Sequence, residues 1–232
     1  MLLAFETSAK AAGVALMSGE ILLGESYQNT GLTHSQTLLS MAENLLKTCG
    51  KTPNDVTAVA VAAGPGSFTG VRIGVAAAKG FAWGKEIPCY GVSTLEAMAR
   101  GLGIYNGLVL GTMDARRDQT YTALFRFTEG TLSRIAEDQA ISYGELENLI
   151  KNYEEPIFLV GDGSILCYNT LKATVPNLVL PPEHKMHQRA VGVALAAMAQ
   201  IAAGNTGDGE SLTPNYLRLS QAERERLARE NR

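Results

Sequence analysis

The stretch Gly64-Pro65-Gly66-Ser67-Phe68-Thr69-Gly70-Val71-Arg72-Ile73-Gly74 has the spacing of a loop that could hold an anion. An apolar run, Ala58 to Ala63, precedes it and a helical pattern follows, so a strand ends, a tight loop turns and a helix begins. The exposed N–H groups of such a helix start attract phosphate. The spacing nevertheless fits neither standard phosphate fingerprint. Gly70 is followed by Val71-Arg72 where a P-loop needs Lys and Ser or Thr, and the glycines are spaced GxGxxxG, not GxGxxG. A second use of the glycines is a positive-φ turn and close helix packing. Gly74 and Gly80 lie inside the helix, where glycine costs about 1 kcal/mol relative to alanine, which calls for a packing reason. Arg72 and Lys79 are expected to point outward, toward a partner or a phosphate.

Other chemistry-bearing groups are sparse. Glu6-Thr7-Ser8 ends the first apolar run and reads either as a phosphate- or Mg²⁺-water-positioning turn or as a capped turn. Asp114, Arg116, Arg117 and Asp118 make a mixed-charge turn that reads as a solvated hairpin corner. Gly161-Asp162-Gly163 is the one candidate for an adenosine loop in the second half. His184 and His187 lack a companion acid or cysteine, so no metal site is expected. His34 sits in the first turn of a helix and reads as a surface or interface residue. Cys49, Cys89 and Cys167 show no CxxC spacing and read as buried thiols of a reducing compartment.

The elements that must position these groups follow from periodicity. Leu2–Phe5, Val14–Met17 and Ile21–Tyr27 form a meander. Thr33-His34-Ser35-Gln36 has capping-box spacing before Leu38, Leu39, Ala42, Leu45 and Leu46. Ser93 and Ser142 begin helices by the same logic. A glycine-rich stretch from Gly101 to Gly107 divides the chain. The second part repeats the first: an apolar strand, Leu108–Met113, ending in an acid, a meander, then alternating helix and strand. Two βββαβα halves about a cleft are the plan of the α/β actin-like ATPase (ASKHA, ribonuclease H-like) fold. The expected domains are 1–104 and 105–232, with the last helix returning to the first domain. Gln188–Ala203 is an alanine-rich helix. Gln221–Arg232, dense in Arg and Glu, is expected to be a solvated helix or frayed tail. The 232 residues are 46% hydrophobic with a formal charge of -3, which argues against broad non-specific nucleic-acid binding. No membrane span or leader is evident, and a cytoplasmic protein is expected.

Leu2-Leu3-Ala4-Phe5-Glu6-Thr7-Ser8, Leu32-Thr33-His34-Ser35-Gln36, the Gly64–Gly74 loop, Gly91-Val92-Ser93-Thr94-Leu95, Met113-Asp114-Ala115-Arg116-Arg117 with Tyr121, and Tyr216-Leu217-Arg218 occur in order. Together they resemble the TsaB (YeaZ) family of bacterial partner proteins in tRNA threonylcarbamoylation. Glu6 stands where many members carry Asp. The resemblance implies a non-catalytic scaffold or activator that supports the TsaD transferase, which places threonylcarbamoyl on N6 of the adenosine beside the anticodon. It implies pairing through the helices at about 33–48 and 69–84. The interface residues expected on that basis are His34, Thr37, Leu38, Met41, Leu45, Phe68, Arg72, Val75, Ala76 and Lys79. The TsaE ATPase joins the complex, and the same helices support a homodimer when TsaD is absent. tRNA is contacted indirectly. No intrinsic cofactor or catalytic residue is implied, and ATP or ADP would sit at an interface shared within the complex. Thr94 and Met98 fall where TsaD carries its two metal-binding histidines; neither suits iron or zinc there. The alternative reading is an actin-like ATP-dependent kinase or hydrolase acting on a small substrate, which needs a working nucleotide site in the cleft.

Overall fold

The computed structural model describes residues 1–104 and 106–218. The expected solvated segment Gln221–Arg232 lies outside the described residues. The first half opens with a meander of β1 (Leu2–Glu6), β2 (Ala12–Ser18) and β3 (Ile21–Gln28). It continues through α1 (His34–Thr48), β4 (Ala58–Gly64), α2 (Phe68–Trp83) and β5 (Cys89–Ser93) into α3 (Thr94–Leu102). The second half repeats this with β6 (Gly107–Asp114), β7 (Gln119–Thr128), β8 (Thr131–Ser142), α4 (Tyr143–Ile150), β9 (Ile157–Val160), α5 (Ser164–Leu171) and β10 (Leu178–Val179). The short α6 (Glu183–Met186) and then α7 (Ala190–Ala202) follow.

The two sheets have equivalent strand orders, β3-β2-β1-β4-β5 and β8-β7-β6-β9-β10. In each, the meander is antiparallel and the later strands join parallel to the first. Parallel pairing requires a crossover, and helices supply it. This is the actin-like, ribonuclease H-like α/β topology, present twice.

Strand burial explains the layering. β1 and β4 are buried on both faces and read as unbroken apolar runs, as central parallel strands do. On one face, α1 and α2 contribute Leu38, Met41, Leu45, Val71 and Val75 to a core with Leu3, Phe5, Val14 and Val61. On the other face α7 brings Ala190, Val193, Ala194 and Ala197 against Ala4, Ala15, Ala60 and Ala62. Thus α7 follows the second half in sequence but lies on the first sheet. α3 carries Leu95, Met98 and Ala99 against Val109, Phe125 and Val160 of the second sheet, and α4 and α5 cover that sheet's outer face.

α3 and α7 cross at close range. A Cβ on Gly192 would collide with the Ala97 carbonyl oxygen, and Gly101 faces Gly192 across the crossing. Glycine permits that approach at the seam between the halves. Glu25, nearly buried on β3, accepts from the Arg189 guanidinium and from Val191 N–H at 3.2 Å, fixing the start of α7.

Helix starts differ from expectation in one case. Ser142 and Glu145 form the expected capping box, and Ser93 accepts from Glu96 N–H at 3.2 Å. At α1, however, the Thr33 side chain makes no cap, and Gln36 N–H bonds the Thr33 carbonyl instead. The first turn is held by His34, whose Nε2 lies 2.8 Å from the Ala9 carbonyl oxygen.

Candidate functional site

The β1–β2 turn, the Gly64–Gly70 loop, the β6–β7 turn, the Gly161–Gly163 turn and the segment Asn215–Arg218 meet at one cleft between the halves, of about 410 Å³. Most of the motifs marked in the sequence therefore converge on one place. Their detailed bonding decides what that place can hold.

The glycine loop spends much of its polarity within the chain. Ser67 N–H donates to the Ser8 carbonyl at 2.6 Å, and Gly70 N–H donates to Ser67 Oγ at 3.2 Å. Thr7 Oγ1 donates to the Gly70 carbonyl at 2.8 Å. A Cβ at Gly66, Gly70 or Gly74 would run into Ser8 or Thr7. These glycines exist so that α2 can sit directly on the end of β1. Gly80 differs, because a Cβ there meets nothing within 4 Å. The packing reason expected for both interior glycines holds inside this chain for Gly74 only.

Glu6 is 1% exposed. Its Oε1 accepts Ser8 N–H at 2.5 Å, closing the turn, while Oε2 has no partner. Burial, with Asp162 nearby, pushes the Glu6 carboxyl up to about 7. This favours the capped-turn reading of Glu6-Thr7-Ser8.

The Gly161-Asp162-Gly163 turn is also turned inward. Gly161 N–H donates to the Met186 carbonyl at 2.6 Å and Gly163 N–H to the Thr112 carbonyl at 3.1 Å. Asp162 lines the cleft, accepts from Gln188 Nε2 at 3.2 Å and is raised by burial. Both glycine amides that would cradle a phosphate or an adenosine are bonded to backbone, and carboxylates of Asp114 and Asp162 face the space. The candidate adenosine loop thus spends both glycine amides within the chain.

Thr94 and Met98 stand at the positions matched to the metal-binding histidines of TsaD. Thr94 is buried with its Oγ1 unpartnered, and Met98 is buried with its sulfur against Gly161. A lone hydroxyl and a core thioether do not fit an iron or zinc site. Among the described residues no group of three or more His, Cys, Asp or Glu is placed to hold a metal.

The β6–β7 corner is solvent-facing, as expected. Asp114 lies 3.7 Å from Arg116 and accepts Arg116 N–H at 2.7 Å. Arg116, Arg117 and Asp118 all have positive φ, an unusual run for residues other than glycine.

The residues expected at a partner interface divide sharply. Leu38, Met41, Leu45 and Val75 are buried in the core beneath α1 and α2 and cannot face a partner. Their helical spacing marks the stripe that meets the sheet. His34 and the half-buried Thr37 are occupied at the start of α1. Arg72 reaches the surface, but its Nε donates to Tyr216 Oη at 2.7 Å and its guanidinium lies 3.9 Å from the Phe68 ring centroid. Phe68 stacks on Tyr216 with centroids 4.4 Å apart. Lys79 Nζ donates to the carbonyls of Glu210 and Leu212 at 3.1 and 3.0 Å. Arg72 and Lys79 therefore hold the chain's own C-terminal segment. Ala76 alone of the ten is an exposed residue with no such engagement among the described contacts.

The outward stripe of α2 consists of Thr69, Arg72, Ala76, Gly80 and Trp83, and Trp83 is 86% exposed. On α1, Leu39 is exposed while its neighbour Leu38 is buried. Sequence reasoning missed Gly80 and Trp83 as surface residues. The spacing 69, 72, 76, 80, 83 was the available signal, since it follows one helical face opposite Val71, Val75 and Ala78.

The two remaining cysteines of note are Cys89 and Cys167, whose burial pushes their thiols up to about 11 and about 12. Both are inert, buried thiols, as expected; Cys49 is half-buried. Among the described residues no helix is long and apolar enough to cross a membrane.

The chain matches the family model described as "TsaD: tRNA N6-adenosine threonylcarbamoyltransferase" over residues 28–226. It is 32% identical over 223 residues to the tRNA threonylcarbamoyladenosine biosynthesis protein TsaB of Bacillus subtilis, covering 96% of each chain. It is 37% identical over 147 residues to the protein of the same name from Escherichia coli, covering 62% of this chain and 63% of that one. Among solved structures it is similar to a Pseudomonas aeruginosa protein described as uncharacterized with similarity to peptidase YEAZ. That match has a TM-score of 0.81 at 26% identity and covers 94% of this chain and 99% of the other. With the twice-repeated actin-like topology and the ordered motifs around the cleft, these matches establish that the chain belongs to the TsaB (YeaZ) family.

Proposed function

We propose that this chain acts in tRNA threonylcarbamoyladenosine biosynthesis as a non-catalytic partner that binds and supports the TsaD transferase. The names of the relatives support the process. The observation that carries the role is the outer stripe of α2. It places small residues, Ala76 and Gly80, beside a fully presented Trp83. Small residues let a second helix come close, and tryptophan is the residue type most enriched among interface anchors. The partner face is the exposed side of α1 and α2, not the buried stripe of Leu38, Met41, Leu45 and Val75.

Within this reading the chain supplies no catalytic residue. TsaD transfers the threonylcarbamoyl group, TsaE joins the complex, and tRNA is reached through TsaD. The same face pairs two copies when TsaD is absent. ATP or ADP belongs to an interface shared within the complex. The kinase or hydrolase alternative requires a nucleotide in this chain's own cleft, where the amides of Ser67, Gly70, Gly161 and Gly163 are already bonded.

The test is a reconstituted tRNA modification assay with each component omitted in turn. The chain alone is expected to form no modified adenosine, and TsaD is expected to lose activity when the chain is left out. Modification at full rate without the chain, or turnover of ATP by the chain alone, overturns the proposal.

A further inference from the structure

The segment after α7 does not leave the molecule. It runs back along the edge of the first sheet, then crosses to the second half. Gly207 O accepts Cys89 N–H at 3.4 Å, and Leu212 packs on Gly91. Lys79 holds the carbonyls of Glu210 and Leu212. Asn215 N–H donates to the Ala63 carbonyl at 2.6 Å, prolonging the first sheet's bonding past β4. The Asn215 carbonyl oxygen fills the space a Cβ on Gly64 would need, at a φ of +118°. Tyr216 then stacks on Phe68 and accepts from Arg72, at the first turns of α2. Two residues later Arg218 donates to the carbonyls of Ala115 and Arg116, in the β6–β7 corner of the other half.

Three consecutive residues of that corner, Arg116, Arg117 and Asp118, are held at positive φ. Such a conformation persists where its surroundings over-determine it. The Arg218 guanidinium, with the Asp114 carboxylate on Arg116 N–H, supplies that restraint. The halves also meet at the α3–α7 crossing, and the chain between them passes through Gly103 and Gly107, both at positive φ. The halves are thus joined by a glycine-permitted helix crossing and, at the cleft, by Tyr216 and Arg218.

We propose that Tyr216-Leu217-Arg218 is a clasp that fixes the angle between the two halves, with its first-half anchor built on the α2 helix. Arg72 lies one turn from Ala76 and Phe68 two turns, so a partner seated on the outer stripe of α2 acts on the anchor of the clasp. Clasp and cleft angle then respond to docking. The coupling to docking rests on the function proposed above; the clasp does not.

The experiment is hydrogen–deuterium exchange on the full chain, comparing wild type with Arg218→Ala, Tyr216→Ala and Tyr216→Phe. Near-UV circular dichroism confirms folding of each. Arg218→Ala and Tyr216→Ala are expected to speed exchange at least tenfold in both 64–70 and 113–119. Exchange in β1 and in β4 up to Ala63 is expected to stay unchanged. Tyr216→Phe keeps the stack and loses the hydroxyl, so a smaller rise at the same two places is expected. Unchanged exchange at 64–70 in both alanine variants overturns the clasp. So does an equal rise throughout the chain, which would make the segment a general stability element. A parallel titration with TsaD separates the two claims. If TsaD fails to bind while the paired exchange response is present, the docking proposal falls and the clasp stands. If TsaD protects wild type at 113–119 and not Arg218→Ala, the coupling is supported; equal protection in both overturns it.

Discussion

Replacing Gly74 and Gly80 separately by alanine distinguishes packing within the chain from packing on a partner. Both residues lie in α2, and both substitutions remove the same helix penalty of about 1 kcal/mol. At Gly74 the added methyl falls inside 3.0 Å of Thr7 Oγ1 and 3.2 Å from Val61 Cγ2. Thr7 is fully buried and donates to the Gly70 carbonyl at 2.8 Å, so it cannot swing away without losing that bond. Overpacking of about 1–3 kcal/mol and a lost hydrogen bond of about 1 kcal/mol outweigh the helix gain. The net loss is roughly 1–3 kcal/mol, and for a chain of this size it lowers Tm by about 2–12 °C. At Gly80 nothing stands within 4 Å. Gly80→Ala is therefore expected to raise Tm by about 2–4 °C. Differential scanning calorimetry of the two purified variants is the assay. A neutral Gly74→Ala, or a destabilising Gly80→Ala, would refute the assignment of these glycines to opposite faces.

Three further outcomes are expected. The Glu6 carboxyl is held at about 7 in the folded chain, above its ordinary value of 4.5. Between those values the folded state binds more protons, so this group lowers stability as pH rises from about 4.5 to about 7. Glu6→Gln should remove a penalty on the order of 3 kcal/mol at pH 8 and little at pH 4, as read by urea unfolding. Gly192→Ala drives a methyl into the Ala97 carbonyl at the α3–α7 crossing and should cost about 1–3 kcal/mol in the same measurement. Glu25→Ala strips the Arg189 guanidinium and the Val191 N–H of their acceptor and should destabilise by about 3 kcal/mol, with faster amide exchange at the start of α7.

The repeated βββαβα order was legible because each half alternates short apolar runs with turn residues and helical spacing, and the two sheets match it. The convergence of the glycine loop, the Asp114–Arg117 turn and Tyr216–Arg218 on one cleft was not. It depends on contacts between residues more than a hundred positions apart, such as Arg72 with Tyr216. The C-terminal segment carries no apolar period, and its hold comes from backbone bonds and three cations, Arg72, Lys79 and Arg218, so pattern alone left it unplaced. Leu38, Met41, Leu45 and Val75, expected at a partner face, lie on the stripe that meets the chain's own sheet. An amphipathic helix shows its apolar stripe to its own sheet first, and the small residues opposite that stripe mark what is left for others. Strand β8 runs from Thr131 to Ser142 with polar residues on both faces, which its edge position tolerates.

The central claim is that the outer stripe of α2 receives TsaD. Isothermal titration of TsaD into wild type, Ala76→Arg and Gly80→Arg tests it most directly, with Tm measured on the same samples. Wild type is expected to bind, and each arginine to weaken binding at least tenfold while leaving Tm within a few degrees. Undiminished binding by both folded variants, or no binding by wild type, would contradict the account.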